Sequence, residues 1–154
     1  MRKKKYQIGI DPDNDKSGIA VWNTETQEFE LIESLNFWAT LVLLKEGRCS
    51  QKTIKGYRSQ DANVIIEAGW LNKKSNWHKM QGAAIREKVA QNVGKNMQIG
   101  KLFQDYCRRY GIEYEIRKPI GSKDVTRTFF QQLTGWKGST NQDNRDAAML
   151  VFKS

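Results

Sequence analysis

Cysteine, proline and histidine are scarce here: 2 Cys, 2 Pro and 1 His among 154 residues. Cys49 and Cys107 form no Cys-x-x-Cys pair and have no histidine partners. That excludes a disulfide scaffold and a zinc site of ordinary spacing, and fits two reduced thiols in a cytoplasmic protein. With so few prolines and no Gly- or Ser-rich linker, collagen-like, mucin-like and disordered chains are excluded as well. Long apolar runs are missing too. The longest, residues 37–44, falls far short of the roughly 18 residues a membrane span needs. Residues 1–5 are basic, but the apolar stretch behind them ends at Asp11 with no cleavage site, so neither export nor a membrane is expected. Acids are also outnumbered, 17 against 26 Lys and Arg. The resulting charge of +9 favours a polyanionic partner, nucleic acid first.

What is present is enough apolar material, 38% of residues, for one packed core, with no repeat of 20 to 50 residues. Tyr6, Ile8 and Ile10 alternate with Gln7 and Gly9 as a strand ending at Asp11, and a loop of turn-forming residues follows. Residues 19–22 and a segment around Phe29, Leu31 and Ile32 continue as an antiparallel meander. Asn36 caps a helix that Gly47 stops, and Arg48 to Asp61 reads as loop. Val64, Ile65 and Ile66 form a β-branched run ending at Glu67, the pattern of a strand covered on both faces. A long amphipathic helix runs from Ala83 to Tyr110 and ends at Gly111. A strand around Tyr114 and Ile116 follows. Ser122 then caps a helix through Val125 and Leu133, and Thr140 caps a last one from Asn141 to about Phe152.

Chemistry gathers where strands end. If the strands closed by Asp11 and Glu67 are parallel neighbours, both carboxylates leave the same edge of the sheet, where α/β folds place their sites. Asp143 and Asp146, three apart, share one face of the final helix and can reach the same spot. Four acids at one locus repel each other unless cations sit among them, and hard oxygen donors suit Mg²⁺ or Mn²⁺. Two such ions, about 3.5–4 Å apart, activate a water and stabilise both oxygens of an in-line phosphodiester displacement, which is nuclease chemistry. Asp13 either tunes such a site or is a solvated turn acid. The string Asp11, Asp13, Asp15 is no calcium loop, because Lys16 and Trp22 stand where Gly and Glu are required.

The segments IGIDPDNDKSGIAVW, VIIEAGW and TNQDNRDAAMLVF, in this order, resemble the RuvC family of Holliday junction resolvases. The likeness spans nearly the whole chain and includes the helical stretch NVGKNMQIGKL. It implies a single RuvC-like nuclease domain over residues 1–154. The implied fold is α/β and ribonuclease H-like: a five-stranded mixed sheet, order 3-2-1-4-5, flanked by helices. The family's metal-binding acids fall on Asp11, Glu67, Asp143 and Asp146, for two Mg²⁺ per site with Mn²⁺ as substitute. Lys123 resembles a basic residue used near the scissile phosphate, with Lys118 as competitor. Asp13 departs from the pattern, which has glycine there.

Directly after Glu67, Trp70, Lys73, Lys74, Trp77 and Lys79 combine stacking surfaces with phosphate-neutralising charge. The resemblance makes Trp70 the aromatic that inserts at the junction centre. His78 is read as incidental. The leading function is resolution of four-way DNA junctions by a homodimer, whose two sites match the two nicks required. The alternatives are a nuclease of broader branched-DNA or RNA/DNA specificity and a non-catalytic nucleic-acid-binding module. An actin-like ATPase is excluded, since 154 residues cannot hold its second half.

Overall fold

The alternation read from the sequence matures into a five-stranded mixed sheet with helices on both faces. The computed structural model describes residues 3–50, 52–72, 82–119 and 125–154. Strands β1 (Tyr6–Asp11), β2 (Ser17–Asn23) and β3 (Glu28–Leu35) form the antiparallel meander. The Asn23 side chain fixes its second turn by accepting from the amides of Glu25, 2.9 Å, and Thr26, 3.3 Å. Helix α1 (Phe37–Glu46) begins where the Asn36 side chain accepts from the Ala39 amide at 2.8 Å and ends at Gly47, whose φ of 68° needs a residue without a Cβ. The Arg48–Asp61 stretch, expected as loop, instead contains a two-stranded hairpin of β4 (Arg48–Cys49) and β5 (Lys52–Thr53) and a 3₁₀ turn at Ser59–Asp61. Strands this short carry no readable alternation.

Strand β6 (Ala62–Glu67) pairs in parallel with β1, Ile10 opposite Ile66. Strand β7 (Glu113–Arg117) pairs in parallel with β6 on the outer edge. The order is β3-β2-β1-β6-β7. With the small hairpin set aside, this is the 3-2-1-4-5 arrangement. Helix α2 (Ala83–Tyr110) connects the last two strands and ends at Gly111, φ 65°. Two helices begin later than the sequence suggests. Helix α3 (Arg127–Thr134) starts after Thr126, whose hydroxyl accepts from the Phe129 amide; Ser122, the expected cap, lies outside the described residues. Helix α4 (Gln142–Val151) is capped by Asn141 and not by Thr140. Asn141 and Asn144 exchange side-chain-to-backbone bonds of 2.9 and 2.8 Å, while the oxygens of Thr140 accept from Arg145. Among the described residues no helix is long and apolar enough to cross a membrane.

The two faces of the sheet bury different things. Ile8, Ile10, Ile19, Val21, Val64 and Ile66 face α1 and α2, packing with Leu43, Leu44, Phe103 and Cys107. The opposite face sets Ala20, Trp22 and Ile65 against Phe130, Ala147, Ala148 and Val151 of α3 and α4. On this second face α4 comes very close. A Cβ at Gly9 would collide with the Ala147 carbonyl, and one at Gly18 with the Asp143 carbonyl.

Candidate functional site

Strand parity decides where the acids go. Side chains two apart share a face, so Asp11 follows Gly9 and Glu67 follows Ile65, both toward α4. The parallel pairing Ile10–Ile66 brings the next residues, Asp11 and Glu67, to the same level at the sheet's carboxyl edge. Because Gly18 lets the first turn of α4 rest on β2 opposite Asp11, Asp143 and Asp146 arrive at that edge too.

The four acids bear on one another electrostatically. Burial first, then the charges of Glu67, Asp143, Asp146 and Asp13, push the Asp11 carboxyl up to about 8 from an ordinary 3.8. Glu67 is pushed from 4.5 up to about 7 by burial, then by Asp146 and Asp143. Asp143, the most exposed of the four, is raised by lost hydration, then by Asp13 and Asp146. Repulsion of this kind is what a divalent cation relieves, and the donors are the hard oxygens that Mg²⁺ and Mn²⁺ prefer. The donor chemistry therefore fits such an ion. Among the described residues, however, no three of these side chains close on a common point as a finished cage.

Asp13 has a structural task as well as a charge. Its carboxylate accepts from the Asp15 amide at 2.9 Å, and its own amide donates to Ser17 Oγ at 3.1 Å, so it folds the loop after β1. Trp70 lies in a 3₁₀ turn, Gly69–Asn72, just past Glu67. Its indole is half-buried over Gly100 of α2, where a Cβ would strike the ring, and Pro12 packs at the same point. Lys73, Lys74, Trp77, His78, Lys79 and Lys123 lie outside the described residues. Lys118 is exposed, directly after β7. Cys49 and Cys107 are free and buried; burial pushes the Cys107 thiol up to about 12, which keeps it unreactive.

Four residues important to this geometry escape a reading of the sequence. Gly9 and Gly18 are signalled only by their position inside strands. Gln142 and Arg145 are signalled only by lying four and one positions before Asp146. Gln142 Nε2 donates to Asp146 Oδ1 at 2.7 Å. Arg145 donates to the Val125 carbonyl, the Thr140 carbonyl and hydroxyl, and Gln142 Oε1. At the neighbouring edge, Arg117 of β7 donates to the Leu150 carbonyl at 2.9 Å and ties the sheet to the far end of α4.

No protein-family model matches the sequence, and no curated protein matches it. Among solved structures, the chain is similar to RuvC of Thermus thermophilus in complex with a Holliday junction substrate: TM-score 0.54, 12% identity, 96% of this chain and 90% of that one covered. A second Thermus thermophilus RuvC structure gives a TM-score of 0.54 at 13% identity, covering 96% and 92%. At such identities the likeness shows the fold, and the fold is the RuvC, ribonuclease H-like one.

Proposed function

We propose that this chain is a metal-dependent, structure-selective DNA endonuclease that resolves four-way junctions by paired phosphodiester hydrolysis. The observation that carries the reading is the meeting of Asp11 and Glu67, from parallel neighbouring strands, with Asp143 and Asp146 of α4 at one sheet edge, on the fold of RuvC. The net charge of +9 supports a polyanionic substrate. An acidic centre in so basic a chain would weaken phosphate binding unless cations occupied it. The junction in one RuvC structure supports branched DNA as that substrate.

In this reading Asp11, Glu67, Asp143 and Asp146 hold two Mg²⁺, with Mn²⁺ as substitute. When bound, the pair supplies an activated water and stabilises both oxygens of the displacement. The chain's own contribution is placement. Asp11 and Glu67 are fixed by the sheet register, Asp143 and Asp146 by the tight seating of α4, and the mutual repulsion of the four favours uptake of cations. Lys123 assists near the scissile phosphate, while Trp70, Lys73, Lys74, Trp77 and Lys79 engage the branch. The whole of residues 1–154 acts as one nuclease domain in the cytoplasm.

The assembly is a homodimer. Ile85, Val89, Val93 and Met97 recur every four residues along the first half of α2. None of them is buried, and Ile85 is 59% exposed. Such a stripe suits a second copy of the same helix.

The test incubates the purified chain and Mg²⁺ with a synthetic four-way junction, beside duplex, flap and RNA/DNA controls. Opposed nicks in the junction that vanish on chelation are expected. Failure to cut with either Mg²⁺ or Mn²⁺, or equal cutting of plain duplex, overturns the reading. Sedimentation that finds only monomer, free and on DNA, with paired nicking intact, overturns the dimer.

A further inference from the structure

The contacts around Asp146 form a directed chain. Arg145 has only donors, and its guanidinium is placed by three oxygens: the Val125 carbonyl at 2.9 Å from Nε, and the Thr140 carbonyl and hydroxyl at 3.1 and 3.0 Å from Nη1. The remaining arm, Nη2, takes the oxygen of the Gln142 amide at 3.3 Å. An amide whose oxygen faces a guanidinium must turn its NH₂ the other way. That NH₂ is what meets Asp146 Oδ1, at 2.7 Å. The polarity of the Gln142 side chain is therefore dictated by Arg145. In the reverse orientation the amide oxygen would face the carboxylate, and the guanidinium selects the orientation that donates.

We infer that Gln142, oriented by Arg145, is a positioning residue that sets the Asp146 carboxylate for cation binding. The inference rests on the nuclease reading above. A donor held on one carboxylate oxygen fixes the rotamer of the group and leaves its charge in place, as outer partners of metal ligands do.

Gln142 sits at the first position of α4 and is half-buried, so Gln142→Leu removes the donor with little change in volume. The probe is Mn²⁺ itself, titrated calorimetrically into the full chain, together with the Mn²⁺ midpoint of junction cleavage and the Tm. Expected is a rise of about tenfold or more in the Mn²⁺ dissociation constant, with the cleavage midpoint moving in parallel. At saturating Mn²⁺, kcat should return to within about threefold of the wild type, because tenfold-weaker cation binding is offset by mass action. A merely structural role would lower the Tm and the active fraction without moving the midpoint. Gln142→Met, which keeps the chain length and helix propensity, replaces the Leu variant if that one unfolds. Unchanged Mn²⁺ affinity and midpoint in a folded variant overturn the inference alone. A wild-type chain that binds no Mn²⁺ overturns the nuclease reading and the inference together.

Discussion

The two faces of the central sheet are built on opposite plans. Toward α1 and α2 the strands present Ile8, Ile10, Ile19, Val21, Val64 and Ile66, and the helices answer with Leu43, Leu44 and Phe103. Toward α4 they present Gly9, Gly18 and Ala20, and α4 answers with Ala147 and Ala148, backbone nearly on backbone. Bulk on the first face buries apolar area, the main source of stability. Smallness at Gly9 and Gly18 sets a distance beneath α4, from which the acids extend, while Trp22, Ile65 and Phe130 fill the rest of that face. Both sides of the sheet bury apolar area, and the second also supplies placement.

The sharpest way to break this comparison is to remove the acids themselves. Asp11→Asn, Glu67→Gln and Asp146→Asn should each abolish junction cleavage, a loss of at least about 1000-fold or ~4 kcal/mol, while junction binding survives. Because Asp11 and Glu67 are raised by burial and by the neighbouring acids, the metal-free variants should melt no lower than the wild type. Wild-type cutting by Asp146→Asn in matched Mg²⁺ titrations would remove it from the site.

Next come the glycines. Gly9→Ala should cost about 3 kcal/mol by overpacking and should also depress cleavage, since α4 must lift away. Ile8→Val on the other face should cost about 1 kcal/mol and leave cleavage alone. Urea unfolding and cleavage rates measured on both variants decide it. Equal effects of the two substitutions on cleavage would erase the division of labour.

Acidity offers a third test. Asp11 and Glu67 hold protons more tightly in the folded chain, at about 8 and about 7, than at their ordinary 3.8 and 4.5. Their contribution to stability is therefore full below about pH 4 and is lost as pH rises through 7 and 8. The metal-free chain should unfold at lower urea at pH 8 than at pH 5, and Mg²⁺ should narrow the gap. A stability that rises over this interval would contradict the packing of the acids.

Trp70 gives the smallest expected effect and the best chance of sharpening the comparison, since it belongs to the bulky face yet sits beside the acids. Trp70→Ala should slow cleavage of a fully paired junction about tenfold, ~1.4 kcal/mol, within the range for a stacked base. A junction with unpaired bases at its centre should recover much of the rate. Unchanged cleavage and an unchanged 2-aminopurine signal at the crossover would leave Trp70 as packing alone.

The strands and the acids at their ends were legible because both rest on short-range patterns: alternation up to Asp11, a β-branched run up to Glu67, and a three-residue spacing from Asp143 to Asp146; the order of the strands came only with the resemblance. Local competition blurred the helix starts. Thr126 and Asn141 took the capping roles expected of Ser122 and Thr140, since adjacent Ser, Thr and Asn residues are all competent caps and only the path of the chain chooses among them. Gly9 and Gly18 are plain in the sequence, but which backbone approaches them depends on a helix more than a hundred positions away. Arg145 was unreadable for the same reason, because three of its four hydrogen bonds go to oxygens outside its helix.

The seating of α4 on β1 also governs when activity can begin. Asp11 and Glu67 are translated early, and Asp143 and Asp146 only near the end of the chain, on the helix that seats against Gly9 and Gly18. In the proposed reading, a growing chain that has paired β6 with β1 but lacks α4 holds Asp11 and Glu67 and cannot yet cut. The same separation means that two acids of the proposed site lie before residue 68 and two after residue 142, so neither half of the chain alone holds all four.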